Sequence, residues 1–170
     1  VTARPSPPYA HLLRAQLDCP DAWTPPVVAA LTAAGVLLDR EAPVGVAVTP
    51  GRTVSSTVDA WSVDSLPHVL LAVHPWAVEV GPWVAPGLGP CARCVAAAVL
   101  EEGGAPGADD VPRPLLALGV GTAARDLAAW SRGELPHTWL TSWRLDHEPL
   151  PAVRRWRRHP YCGCGWFEAP

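Results

Sequence analysis

The stretches Gly81-Pro-Trp-Val-Ala-Pro-Gly-Leu-Gly-Pro-Cys-Ala-Arg-Cys94 and Arg157-Arg-His-Pro-Tyr-Cys-Gly-Cys-Gly165 hold four of the five cysteines of this 170-residue chain. The pairs Cys91/Cys94 and Cys162/Cys164 are each close enough in sequence to face one ion from two sides. Gly87, Gly89, Gly163 and Gly165 allow the tight turns this needs, and Pro90 and Pro160 stiffen the approaches. Four thiolates are a standard tetrahedral ligand set for structural zinc, and with all four positions filled no open site remains for catalysis. Such an ion would clip the C-terminus onto the middle of the chain, and its binding energy would be folding energy. The competing readings are an iron–sulfur cluster, a redox dithiol and four unrelated buried thiols. A dithiol leaves the second pair unexplained. Cys19 stands apart and reads as a small buried hydrophobe near a turn.

The length suits one domain, or one domain with a small appendage. Lys, Ile, Asn and Met are all missing, a skew expected of GC-rich codon usage and no guide to structure. A net charge of -3 argues against a nucleic-acid partner. No charged-then-apolar leader and no long apolar run free of Pro and Gly occurs, so neither a signal peptide nor a membrane span is expected. A cytoplasmic location follows as an expectation, and reduced thiols there favour metal or redox chemistry over disulfides. Most of the nine Trp are expected to be core or interface anchors.

Outward from the cysteines, His68-Val-Leu-Leu-Ala-Val-His74 is the strongest strand signal, apolar throughout and bounded by Pro67 and Pro75. Its continuity suits a strand buried on both faces of an α/β sheet. Val44–Val48 reads as a second strand ended by a Pro50-Gly51 turn. Ala77–Gly81 and Trp83–Ala85 read as a short strand pair, and a helix is expected from Val95. Residues 103–112 read as a flexible loop, and 115–130 as a long helix weakened by Gly119 and Gly121 unless a backbone packs close there. His137–Leu145 is strand-like. Upstream, Leu12, Leu13 and Leu17 carry helical spacing over 9–17. Pro25-Pro26 then opens a short helix, which Gly35 ends before a strand-like Val36-Leu-Leu. Thr53–Val63 alternates loosely.

The two cysteine motifs in their Gly-Pro and His-Pro settings resemble those of the ThiF-like (ocin-ThiF-like) proteins of azole-forming peptide biosynthesis. These are cyclodehydratase partner proteins found beside YcaO-type enzymes in thiopeptide and other thiazole/oxazole pathways. The resemblance spans residues 66–165. It implies an α/β, truncated ThiF-like (Rossmann-related) domain over 43–170, with Cys91, Cys94, Cys162 and Cys164 as zinc ligands. It further implies a YcaO-type cyclodehydratase and the leader of a precursor peptide as partners, with a homodimer as a further candidate assembly. No nucleic acid and no membrane is expected as a partner. Adenylating ThiF relatives bind ATP at a Gly-rich strand–helix turn; here Gly45 and Gly51 stand alone, so adenylation is not expected. Many family members bind the leader on a winged-helix module that needs about 80 residues by ordinary element lengths. Residues 1–42 leave room for a partial winged-helix or helical segment only.

Arg154-Arg155-Trp156-Arg157-Arg158 is the one strongly basic cluster, either a solvated face with Trp156 inserted in the core or a docking patch for an acidic leader or the partner enzyme. His68 and His74 read as satisfied core or edge histidines, and His159 as a turn or a hydrogen bond beside the ligands. Glu101-Glu102 and Asp109-Asp110 read as solvated charge, and Ser55, Ser56 and Ser131 have no base to activate them. The expected function is therefore non-catalytic: a scaffold that helps a YcaO-type enzyme meet its precursor peptide. The alternatives are a stand-alone leader-recognition protein for another modifying enzyme, and a residual adenylating or sulfur-transfer enzyme of the ThiF type.

Overall fold

The computed structural model describes residues 13–110 and 112–165. In chain order the elements are β1 (Leu13–Asp18), α1 (Thr24–Ala33), β2 (Val36–Leu38), β3 (Gly45–Pro50), α2 (Ser56–Val63) and β4 (His68–His74). They continue with β5 (Ala77–Val84), α3 (Ala92–Glu101), α4 (Arg113–Ser131), β6 (Thr141–Leu145) and β7 (Ala152–Arg155). The seven strands among the described residues join one sheet, in the order β2-β1-β3-β4-β5-β6-β7. The first four run parallel, and β5, β6 and β7 each run antiparallel to their predecessor. No described helix is long and apolar enough to cross a membrane.

The sheet is covered on both faces, which explains why β4 is apolar and buried at every position. On one face α1 and α4 pack Val27, Leu31, Leu116, Val120 and Leu127 over Val46, Val48, Leu71 and Val80. On the other, α2 and α3 pack Val58, Trp61 and Ala92 against Ala47, Leu70 and Val84. Trp61 fits only because residue 45 is glycine: a Cβ there would stand 2.6 Å from the indole. Among the described residues, four Trp (Trp23, Trp61, Trp83 and Trp156) are buried core, whereas Trp76 is exposed.

Residues 13–42 are built differently from the sequence expectation. Residues 1–12 lie outside the described part, and so do positions 9–12 of the helix expected over 9–17. What is described there is strand β1, not helix: Leu13 and Ala15 turn into the core while Arg14 is exposed, a two-residue period. The helix–Gly–strand unit is present, with Pro25 and Pro26 in the first turn of α1 and Gly35 at φ 79°. However, β2 pairs parallel to β1, so residues 13–38 form a β-α-β unit of the main sheet in place of a partial winged helix. The boundary drawn between residues 42 and 43 falls between strands of one sheet.

Three smaller differences follow the same logic. Thr53–Val63 contains helix α2, started by Ser55, whose Oγ accepts from the Val58 amide at 3.1 Å. The expected strand pair over 77–85 is the single strand β5. Part of the 103–112 loop is docked: the Ala108 amide donates to Val73 O at 3.2 Å, and Gly107 packs on Pro50 and Gly51 where a Cβ would not fit.

Candidate metal centre

The four cysteines come from two places that the fold brings together. Cys91 is the extended residue that starts α3, and Cys94 lies in its first turn, so both sulfurs share the positive end of the helix. Cys162 and Cys164 follow β7 through the His159-Pro160 turn, where the Cys162 amide donates to His159 O at 3.0 Å. The Sγ atoms of Cys91 and Cys94 are 3.7 Å apart, those of Cys91 and Cys162 3.5 Å, and those of Cys94 and Cys164 3.3 Å. All four sulfurs lie within 4.8 Å of one another. A tetrahedral ion with sulfur at about 2.3 Å needs edges of about 3.8 Å. The cluster therefore has the size of a single-ion site, and its sulfurs are too far apart for disulfides, which need about 2.05 Å.

Electrostatics favours a charged cluster. The hydrogen bond from Cys91, foremost, pulls the Cys94 thiol down to about 4. The same bond, with burial, pushes Cys91 up, and burial raises Cys164 to about 11. Packed thiols thus share protons around one thiolate, and a bound cation would displace the remaining protons.

The surroundings hold the clip in register. Arg158 donates to Gly87 O at 2.6 Å and to Gly89 O at 3.2 Å, tying the second cysteine segment to the loop that carries the first. His159 Nε2 lies 2.9 Å from Glu101 Oε1 at the end of α3, so His159 braces the turn beside the ligands. Trp156 is buried against Val95 and Val99 of α3, and its indole N–H donates to Ser142 Oγ at 2.9 Å. Arg154 pairs with Glu102 at 2.7 Å and stacks on Trp156 at 3.8 Å. Of the five residues of the basic cluster, Arg154, Trp156 and Arg158 are therefore engaged within the fold, while Arg155 and Arg157 are exposed. Glu101 and Glu102 are partners of this region, not simply solvated charge.

A largely buried ion pair beside this centre has no counterpart among the sequence motifs. Arg52, from the turn after β3, binds the carboxylate of Glu79 on β5 and donates to Gly81 O at 2.6 Å. Its guanidinium also lies 5.3 Å from the Trp156 ring. The two partners are 27 residues apart, and no local motif links them. His68 and His74 are buried as expected, each with Nδ1 2.9 Å from a backbone carbonyl, of Leu66 and Pro106 respectively.

A cavity of about 260 Å³ opens at the C-terminal ends of β1 and β3, lined by Asp18, Cys19, Pro20, Thr49, Pro50 and Ser55 among others. This is where strand order reverses and where open α/β sheets bind ligands. Here the turn after β1 reads Asp18-Cys-Pro-Asp21, and α1 begins with Pro25 and Pro26, which have no N–H to donate. Two carboxylates and three prolines make a poor phosphate cradle. Ser55 donates to Asp18 Oδ2 at 2.6 Å and caps α2. Cys19 lies beside Thr24 Oγ1 at 3.2 Å, its thiol pushed up mainly by burial.

No protein-family model matches this chain, and no curated protein does. Solved structures do match. The heterocyclase TruD superposes with a TM-score of 0.68 at 19% identity, over 90% of this chain and 27% of that one. A heterocyclase in complex with substrate and cofactor matches with a TM-score of 0.67 at 18% identity, over 93% of this chain and 27% of that one. E. coli MccB, solved with MccA, matches with a TM-score of 0.53 at 14% identity, over 74% of this chain and 39% of that one. At such identities the likeness is one of fold. The chain spans about a quarter of the length of the heterocyclases it matches.

Proposed function

We propose that this chain is a truncated ThiF-like scaffold with a structural zinc ion, acting as the non-catalytic partner of a YcaO-type cyclodehydratase. In that role it helps present a precursor peptide whose Cys, Ser or Thr residues are converted to azolines. Each conversion closes a side chain onto the preceding carbonyl with loss of water, and the ATP chemistry belongs to the partner.

The observation that carries the reading is the coincidence of two things. The backbone follows heterocyclase structures over nine-tenths of its length. The same backbone brings four cysteines from two motifs into one ion-sized cluster. Zinc fits the donor set, since four thiolates suit a closed tetrahedral site. Cys91, Cys94, Cys162 and Cys164 would hold it, and its contribution there would be to fix the last part of the chain against α3. The acidic, proline-rich turn after β1 favours this reading over an adenylating enzyme.

The test is reconstitution. Azoline formation on a Cys/Ser/Thr-rich precursor by a YcaO enzyme, followed by mass spectrometry as loss of water, should depend on this chain. ATP–pyrophosphate exchange by the chain alone would sink the proposal in favour of adenylation. Tight leader binding with no effect on any YcaO enzyme would instead support a stand-alone recognition protein.

A further inference from the structure

We propose that the outer edge of β7, with the arginine-lined cavity at its end, takes up an extended acidic peptide segment as an additional strand. The inference deepens the function proposed above by naming a surface, and it rests on the reading of this chain as a peptide-handling partner.

β7 is the terminal strand of the sheet, so one side of it carries no partner strand among the described residues. An open edge of this kind can hydrogen-bond an added peptide main chain, with specificity read from alternate side chains. Along β7 one alternate set points to the α3 side, where Arg154 and Trp156 are engaged within the fold. The other set is exposed: Val153, Arg155 and, past the strand end, Arg157. Neither Arg155 nor Arg157 has an ion pair or hydrogen bond with another described residue. Alternate positions on a strand are about 7 Å apart, the spacing at which a paired peptide presents every second side chain.

A cavity of about 500 Å³ lies at this end, lined by Leu88, Gly89, Pro90, Leu140, Arg155 and Arg157 among others. Its walls are held in place before any ligand arrives. Trp156 is anchored to Ser142, and Arg158 to the carbonyls of Gly87 and Gly89. Arginines on an edge strand commonly serve only to prevent aggregation. Here they sit beside apolar Val153 and Leu88, both more than 60% exposed, and a concave cavity, which a merely guarded edge does not need. Unpaired cations within a chain of net charge -3 select an acidic occupant. A peptide fits better than a nucleic acid, because only a peptide can extend the strand ladder and because so acidic a chain repels a long polyanion.

The experiment uses the full, metal-replete chain and a fluorescein-labelled synthetic nonapeptide alternating Glu and Val, read by anisotropy at low salt. Binding is expected. It should weaken by about tenfold or more in Arg155→Glu/Arg157→Glu, and by a similar factor when the peptide's Glu are replaced by Gln. A charge-matched Arg40→Glu/Arg113→Glu variant, altered at exposed sites elsewhere, should bind within about twofold of the parent. Circular dichroism verifies that both variants fold. No binding, or equal weakening in both variants, overturns the proposal. So does undiminished binding of a peptide N-methylated at every residue, which cannot donate to a strand edge from either side. Tighter binding of a single-stranded oligonucleotide overturns it in favour of nucleic acid. If the edge fails these tests while azoline formation still depends on the chain, only this inference falls and the scaffold reading stands.

Discussion

Arg52 Nε donates to Glu79 Oε2 at 3.0 Å inside the protein, joining the turn after β3 to the centre of β5. The guanidinium is almost fully buried, and the carboxylate is partly so. Burial by itself would raise the Glu79 pKa, but the charge and hydrogen bond of Arg52, together with nearby His74 and Arg144, outweigh it and hold the carboxyl below its ordinary value. Removing one member strands the other charge.

Arg52→Ala is therefore expected to destabilise by about 3–5 kcal/mol in urea unfolding, while Arg52→Met/Glu79→Met should recover much of that loss. A double variant as unstable as the single one would mean that the pair does not act as a unit. The pH dependence has a definite sign. A carboxyl depressed in the fold contributes stability fully above its unfolded pKa of about 4.3, and loses it as pH falls through the folded value. Stability should drop between about pH 5 and pH 3, and drop less steeply in Glu79→Gln.

His68 titrates with a related outcome. Burial, the main cause, pushes its pKa down, and the hydrogen bond with Leu66 O only partly offsets this. The unfolded chain then takes up a proton first, so stability should fall as pH drops below about 6.5. His68→Gln should flatten the denaturation midpoint between pH 7 and pH 5. An unchanged slope would mean that His68 is protonated as readily in the fold as outside it.

The cysteine cluster makes a compositional prediction. Elemental analysis of protein purified without chelator should find about one zinc per chain. Cys91→Ser/Cys162→Ser should lose the ion and at least about 3 kcal/mol, some 10 °C in Tm for a chain of this size. Much less than one equivalent, together with an unchanged Tm, would remove the metal from the account.

Gly119 and Gly121 lie two residues apart in α4 but should respond oppositely to alanine. A Cβ at 119 would stand 2.8 Å from Val78 Cγ1, whereas one at 121 meets nothing within 4 Å. Gly119→Ala should cost about 1–3 kcal/mol through overpacking, and Gly121→Ala should add about 0.5–1 kcal/mol through helix propensity. Thermal melts of the two variants decide this, and equal signs would contradict the packing described.

These residues also mark what the sequence makes legible. The cysteine pairs, the apolar β4 and the Pro-Pro…Gly frame of α1 are local signals, and each appears in the fold as expected. Leu13 and Leu17 misled because four-residue spacing fits a helix and a strand equally, and the small Ala15 between them hid the strand period. Helix α2 was announced by Ser55 as a cap, with Val58 and Trp61 three and six residues on. It is short, and its polar residues blurred the pattern. Whether a residue of the 154–158 cluster is engaged or free depends on Glu102, Ser142, Gly87 and Gly89, all distant in sequence. The same distance concealed Arg52 and Glu79.

The spacing of the two cysteine motifs has one more consequence. Cys91 and Cys162 are 71 residues apart, and the loop that precedes α4, exposed over residues 102–107, lies between them. With an ion bound, the span is a closed ring fastened at its base. A single cut in that loop would open the ring without releasing either piece, because the ion and the shared sheet still join them. The nicked protein would run as two fragments only after denaturation and chelation, so breakage of the chain and loss of the fold would become separate events.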